Sequence, residues 1–515
     1  MKIAITTNEI FIPKKLFSAK VDKELEFDSA LPDYCPDIAR LVKVDCTPFL
    51  ENCDTEGEKA TIKGKVLYDV LYETDYKNRL RCVSFTQEFS QSIPIPRSNA
   101  EDITAFCDTE CSKISCKLLS PRRVIIKSTL GTQFDIEGET AIKAVAVNES
   151  KNEFFRKKTI GFEGRTSLHS ENFHFSDSLS LAQSEKSIGE IVCGSITLQP
   201  AQTTISPGRA EIKTTAAIHI LCEEENNEGV YYMSQKTLPV NIDYQNDAIE
   251  DFKHISLSLE PRDFEFSPEL DQYGESRVIK TSFNVKIKMK INEPKAYTVA
   301  DDMFEKGYNS ILQKGTAKMP ILYSQSESGF TIETKLPSMT PRPDTILDSS
   351  AKDFGSSTEK TEGGINLSGS FILTLMTNTP EGIFSFDHSV PYKQFCPLDL
   401  PEGESNIVAD TYPIEAIATL HSDGSATVRI IAGTKLYVFT ESEDSFIQDV
   451  TKRTPIENTN EGSMLVYFYP NKTDDLWSIA KNYRTDPESI LSSNPQHFDE
   501  NGNNTEPERP ILIKS

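Results

Sequence analysis

Chemistry in this chain would have to come from scattered groups. Cys107, Cys111 and Cys116, with three and four residues between them, are the nearest thing to a metal-ligand cluster. A zinc site needs a fourth ligand at a matching spacing, and none stands nearby, so these cysteines are expected to pack as thiols. The seven histidines, His169, His174, His219, His254, His388, His421 and His497, are dispersed without metal-ligand spacing. The acidic runs EEENNE and ESEDSF lack the alternating ligand order of a calcium loop and read as solvated turns. No phosphate-binding loop, His-Glu-x-x-His, Gly-x-Ser-x-Gly or Gly-x-Gly-x-x-Gly pattern occurs. The expectation is a non-enzymatic protein with no catalytic residue, cofactor or metal. A hydrolase with an unfamiliar site would need a convergent pocket of titratable groups, which a sequence does not reveal.

Composition narrows the partners. The 54 Lys and Arg against 78 Asp and Glu leave a formal charge of −24, which repels nucleic-acid phosphates and anionic membrane surfaces. The opening MKIAITTNEIFIPKKLF has its apolar run cut by Lys14 and Lys15, too short for a signal peptide, and no membrane-spanning apolar run follows. A cytosolic location without an integral membrane segment is expected. The ten cysteines are irregularly spaced in a chain long enough to build cores, so reduced and mostly buried thiols are expected. At 515 residues the chain exceeds one hydrophobic core, and roughly three or four domains are expected.

Repeats supply the elements that position these residues. KATIKGKVLYDVLYE (Lys59 to Glu73) aligns without a gap on RAEIKTTAAIHILCE (Arg209 to Glu223), 150 residues on. At the same offset Ile38, Leu41 and Val42 fall on Ile188, Ile191 and Val192. RRVIIK from Arg122 matches RVIK from Arg277 at a slightly larger offset. A third, weaker copy runs from NLSGSFILTLMT, where Gly369 takes the place of Gly64, to ATVRIIAGTKLYVF (Ala426 to Phe439). Each copy is longer than a solenoid repeat, so three homologous domains are expected.

Each copy alternates. Ile62, Val66, Tyr68 and Val70 interleave with Lys63, Lys65, Leu67 and Asp69, and Phe283, Val285, Ile287, Met289 and Ile291 with Lys286, Lys288 and Lys290. That period of two, rich in β-branched and aromatic residues, is the signature of half-buried strands. Turns such as ETDYKN and EEENNEG separate the runs. The expected fold class is mainly β, with three repeated antiparallel, sandwich-like modules followed by a small strand-helix-helix-strand domain. The expected divisions are an N-terminal segment over 1–26, repeat 1 over 27–170, repeat 2 over 171–300 and a partly flexible connector over 301–364. A degenerate repeat 3 over 365–450, a linker over 451–463 and the terminal domain over 464–515 complete the chain. Within the connector, DSSAKDFGSSTEKTEGG (Asp348 to Gly364) is expected to be a linker, its Ser, Gly and charge content being unable to support a core.

The first copy opens on LPDYCPDIARLVKVD. Pro32 and Pro36 force Leu31 and Cys35 into extended conformations, and Asp33 and Asp37 are placed to cap backbone donors, so Pro32, Asp33, Tyr34, Cys35, Pro36 and Asp37 form a rigid turn feeding a strand. With IKGKVLYDVLY about twenty residues later, this stretch resembles the SPOCS domain, known from endospore-forming Firmicutes. The likeness covers roughly residues 27–145, 184–300 and, degenerately, 340–445, and it implies a role in spore morphogenesis.

The end of the chain carries a second signal. In MLVYFYPNKTDDLWSIAKNYRTDPESILSSNP, Leu465 to Tyr469 predicts a strand, and Leu476, Ile479, Ala480 and Tyr483 share one helical face. Asp474 is placed to cap that helix, and Thr485 and Glu488 have capping-box spacing for a second, with Pro487 in its first turn. Ile511 to Ile513 can pair with the first strand. The whole resembles a LysM domain, with Leu476, Trp477, Ile479, Ala480, Ile490 and Leu491 as its structural core. LysM domains generally bind N-acetylglucosamine chains through two loops, which fall here on Asn471, Lys472, Thr473, Asp474 and Asp475, and on Ser492, Ser493, Asn494, Pro495 and Gln496. The first loop departs from the usual Gly-Asp-Thr, carrying Thr473, Asp474 and Asp475 instead, and the return QHFDENGNNTEPER is long. Trp477 is expected to pack beside the core stripe rather than stack on sugar.

Three SPOCS-like copies followed by a LysM resemble the clostridial SipL-type spore morphogenesis family. That resemblance implies an adaptor in the mother-cell cytosol, at the forespore surface and spore coat. Its partner would be the coat basement-layer ATPase (stage IV sporulation protein A), gripped by the LysM domain. The implied role is to support coat localisation and cortex formation by multivalent tethering through flexibly linked modules. The alternative is a cell-envelope protein whose LysM holds peptidoglycan glycan or its lipid-linked precursor.

Overall fold

The alternating runs become long antiparallel strands. The computed structural model describes residues 6–97, 100–147, 152–247, 249, 255–456, 465–471, 473–499, 502–506 and 509–514. Strands β1 (Thr7–Ala30), β2 (Ile38–Glu56), β3 (Lys59–Thr74), β4 (Leu80–Pro94), β5 (Glu101–Ser120) and β6 (Arg123–Val145) make two sheets, in the orders β1-β6-β5 and β2-β3-β4. The inward set Ile62, Val66, Tyr68 and Val70 is fully buried and shares one core with Ile126, Leu130 and Phe134 of β6. A two-residue turn, Gly57-Glu58, joins β2 to β3, and Gly57 takes φ +60°, a conformation glycine adopts without a Cβ clash.

The same sheet order recurs twice. β7 (Glu153–Ser180), β8 (Ile188–Leu198), β9 (Gln202–Ser206), β10 (Arg209–Glu224), β11 (Asn227–Gln245), β12 (Ile255–Leu270) and β13 (Ser276–Glu305) form a second unit. Its β13 lies between β7 and β12, and β10 lies between β11 and the pair β8 and β9. Phe283, Val285, Ile287, Met289 and Ile291 point into its core. β14 (Tyr308–Leu336), β15 (Thr345–Thr361), β16 (Gly364–Thr379), β17 (Gly382–Pro397), β18 (Ser405–Leu420) and β19 (Ala426–Pro455) form a third, in the orders β14-β19-β18 and β15-β16-β17. Its core holds Phe371, Leu373 and Leu375 against Val428, Ile430 and Val438. A terminal unit follows: β20 (Leu465–Phe468), α1 (Leu476–Tyr483), α2 (Pro487–Ser493) and β21 (Ile511–Lys514), with β20 and β21 antiparallel.

Several expected divisions are corrected. Of the segment expected over 1–26, the part from Thr7 onward belongs to the first unit, because β1 pairs along its length with β6, from Thr7 opposite Val145 to Ala30 opposite Arg123, and residues 1–5 lie outside the described residues. The first unit gives way to the second near residue 150 rather than 170, since β7 starts at Glu153 and pairs with β13. The connector 301–364 is strand almost throughout, and Asp348 to Gly364 lies largely in β15, hydrogen-bonded along β16. Composition weighs side chains, whereas this strand is held by backbone ladder bonds and by Ile346 and Ala351 against the third core. The third unit therefore starts at β14, not at 365. The expected linker 451–463 begins as strand, β19 ending at Pro455, and its remainder from 457 lies outside the described residues.

The three units share cores at their meeting point. Val42, Val192 and Leu347, with Leu71, Leu221 and Met376, stand at matching offsets of 150 and 305 residues and meet in one apolar cluster. The far ends of the long strands meet in two more, one holding Ile10, Ile160, Val299, Ala317 and Phe446, the other Val145, Ala300 and Ile447. Each seam also carries a polar contact: Arg81 to Glu190 at 2.9 Å, His219 to Asp348 at 3.0 Å, and Arg40 to the Ile383 carbonyl at 2.9 Å. Units that share buried side chains move together, so the flexible joints expected between them are replaced by packed seams.

Candidate functional site

The terminal unit is built by its caps. Asp475, not Asp474, is the N-cap of α1: its carboxylate accepts from the Ser478 N–H at 2.7 Å, and Ser478 Oγ returns to the Asp475 N–H. Asp474 instead closes the preceding turn, accepting from the Asn471 N–H at 2.7 Å. Asp486 caps α2 through the Glu488 N–H, and Pro487 begins the helix, so the expected Thr485–Glu488 box is displaced by one residue. Thr485 is buried and donates to the Lys514 carbonyl, tying the helix pair to β21. In both helices a carboxylate next to the expected residue sits closer to the free N–H groups of the first turn.

The two loops predicted to hold a ligand meet different fates. Thr473, Ser492, Pro495 and Gln496 are exposed or nearly so, and Ser493 is half-buried. Lys472 lies outside the described residues. Asn494 is buried, and its amide is fully engaged: Nδ2 donates to the carbonyls of Ile490 and Leu512, and Oδ1 accepts from the Leu512 N–H, each within 2.9 Å. It braces α2 against β21. The long return folds back on the first loop, where the Leu476 N–H donates to the Gly502 carbonyl and Asp475 bridges Asn503.

The third relationship was invisible in the sequence. Trp477 turns away from both loops and donates its indole N–H to Asp302 of β13 at 2.9 Å, its ring 5.2 Å from Phe304. Lys481 reaches the same carboxylate at 2.7 Å, and Arg484 donates to Asn309 Oδ1 at 2.8 Å and to the Glu305 carbonyl. Burial works against the charge on Asp302, but the Lys481 and Trp477 hydrogen bonds outweigh it and hold the carboxyl below the usual carboxylate range. Phe304 and Phe154 complete a core with Ile479, Ala480, Ile490, Ile511 and Ile513. The opposite face of β20 stays open: Leu465, Tyr467 and Tyr469 are each about two-thirds exposed, a row the alternation of LVYFY could have signalled.

The Pro-Asp turn is clamped by a residue far along the chain. Arg122 donates to the carbonyls of Pro32 and Cys35 and to the Asp37 carboxylate at 2.7 Å. Asp37 is therefore an ion-pair partner rather than a cap. Arg277 repeats the clamp in the second unit, donating to the Ala182 and Glu185 carbonyls. Cys35 is buried, while Tyr34 at the tip is 86 % exposed.

Among the described residues no three His, Cys, Asp or Glu side chains gather as a metal site, and no helix is long and apolar enough to cross a membrane. No curated protein and no solved structure matches the chain. The likeness lies in the first unit, where residues 37–119, from the end of the Pro-Asp turn to the end of β5, match the family model described as SipL, SPOCS domain.

Proposed function

We propose that the protein is a non-enzymatic scaffold of spore morphogenesis, acting in the mother cell at the forespore surface and coat. The observation that carries this reading is the match of residues 37–119 to the SipL, SPOCS domain family. We extend it to three SPOCS-like copies because the second and third units repeat the first unit's sheet order and its central contact positions. The terminal strand-helix-helix-strand unit is taken as a LysM-type grip.

The partner we assign is the polymerising coat-basement ATPase, stage IV sporulation protein A. Packed seams make the three units one platform, so the chain presents its grip in a fixed orientation instead of on a tether. Fixing a contact before binding lowers the entropy lost on association. Protein recognition is favoured over glycan binding because the chain's single tryptophan is occupied by Asp302 and Phe304, and Asn494 is occupied by its own backbone. The exposed row Leu465, Tyr467 and Tyr469 offers the apolar area that protein interfaces use.

Calorimetric titration of the whole chain against the ATPase, and separately against N-acetylglucosamine oligomers, tests this. Binding to the ATPase, weakened at least tenfold by Tyr467→Asp, supports it. Binding to sugar alone overturns it and makes peptidoglycan glycan or its lipid-linked precursor the ligand; binding to neither also overturns it.

A further inference from the structure

All ten cysteines are free thiols in the structure, and within the first unit four of them face one another in two pairs, while Cys82 and Cys193 meet across the seam with the second unit. β2 and β5 are edge strands of the two opposed sheets in the first unit. Cys46 and Cys53 stand on β2 opposite Tyr68 and Ile62 of β3, which are fully buried, so both thiols point into the sandwich. Cys107 and Cys111 stand on β5 opposite Phe134 and Leu130 of β6, and point in from the other side. All four belong to the same core. Cys46 lies beside Cys111 and Cys53 beside Cys107, close enough for each thiol to perturb its partner, and the Cys111 thiol donates to the Lys113 carbonyl at 3.3 Å. Cysteines spread over sixty residues of chain thus become two rungs between two edges.

We propose that these rungs are an oxidation site, at which Cys46–Cys111 and Cys53–Cys107 become disulfides when the protein meets hydrogen peroxide. In each rung one thiol takes up the peroxide oxygen: its sulfur attacks the O–O bond, becomes a sulfenic acid and releases water. The facing thiol then attacks that sulfur, forming the S–S bond and releasing a second water, with both thiol protons leaving in the two waters. Cys53, Cys107 and Cys111 are half-buried and open to a small oxidant, whereas Cys46 is buried. Cys111 is thus the first to react in its rung and Cys46 the resolving thiol. In the other rung Cys53 and Cys107 are alike half-buried, so either sulfur can react first and the other resolves it. The bonds would join β2 to β5 covalently across the sandwich and so constrain the unfolded chain.

The test treats the whole chain with hydrogen peroxide, alkylates the remaining thiols and maps the peptides by mass. The expected result in the first unit is two linked pairs, Cys46–Cys111 and Cys53–Cys107, reversed by dithiothreitol, with a higher thermal midpoint for the oxidised chain. Cys107→Ser should lose only the Cys53 bridge and Cys111→Ser only the Cys46 bridge. Any other pairing of these four cysteines, sulfinic or sulfonic acid at these positions, or four thiols that remain alkylatable overturn the proposal, whereas a Cys82–Cys193 link lies outside the two rungs. The map of the unmodified sequence stands even if a variant folds poorly.

Discussion

Trp477 donates to the Asp302 carboxylate at 2.9 Å across 175 residues of chain, and Lys481, one helical turn on, grips the same carboxylate. The terminal unit is thereby tied to the second unit through one partly buried acid with two donors. Removing that acid leaves both donors without a partner, at a cost of about 1–3 kcal/mol to docking. Because Trp477 is the single tryptophan, its fluorescence reports the contact. Asp302→Ala is expected to red-shift the emission and raise acrylamide quenching while leaving the β-sheet signal in circular dichroism unchanged.

The same pair sets a pH dependence. The Asp302 pKa is lowered in the folded chain, against about 3.9 for an unperturbed aspartate. Its contribution is complete above that unfolded value and is lost as pH falls through the folded one. Quenching of Trp477 should stay flat from neutrality to about pH 4 and rise below it. Lys481→Met leaves the opposing effect of burial, so the rise should begin at a higher pH.

Glycine is required at Gly64 by space rather than by backbone angle. A Cβ there would meet the Phe49 carbonyl and come 2.8 Å from the Phe89 ring. Gly64→Ala is expected to destabilise the first unit by about 1–3 kcal/mol in urea denaturation, the usual cost of overpacking. Gly57 has open space but φ +60°, so Gly57→Ala should cost about 1 kcal/mol through strain alone.

Arg122 draws three acceptors together with one planar guanidinium. Arg122→Lys keeps the charge for Asp37 but loses the fork that reaches the Pro32 and Cys35 carbonyls. The expected outcome is a lower urea midpoint for the first unit, with faster hydrogen exchange at the Cys35 amide, whose turn bond to Pro32 depends on the clamp.

Leu221 sits where the three units meet, fully buried with Leu71 and Met376. Leu221→Ala should cost about 2–5 kcal/mol and act on the seam before the second unit's own core. Calorimetry is expected to show unfolding of the native chain as a concerted transition that broadens or splits in the variant.

Local pattern made much of this protein legible. The inward set Ile62, Val66, Tyr68 and Val70 and the outward lysines of β13 follow from a period of two, and the helical face of α1 from a spacing of three and four. The strand at Asp348 to Gly364 escaped because Ser, Gly and charge signal a loop only when no neighbour supplies ladder bonds, and β16 supplies them. The caps were misplaced by one residue because two adjacent acids, Asp474 and Asp475, compete for the same free N–H groups and only the backbone angle of the winner decides.

The sequence by itself determined the strands, the repeat offsets that bring Val42, Val192 and Leu347 to equivalent places, and the strand-helix-helix-strand order of the end. Each depends on residues close together or at a regular spacing. Tertiary structure alone decided that those equivalent residues meet in one shared core, that Trp477 spends its donor on Asp302, and that Cys46 and Cys53 look across at Cys111 and Cys107. Such contacts join residues from about fifty to three hundred positions apart, and no local periodicity carries them, since they follow from which faces are left to bury once every strand has found its neighbours.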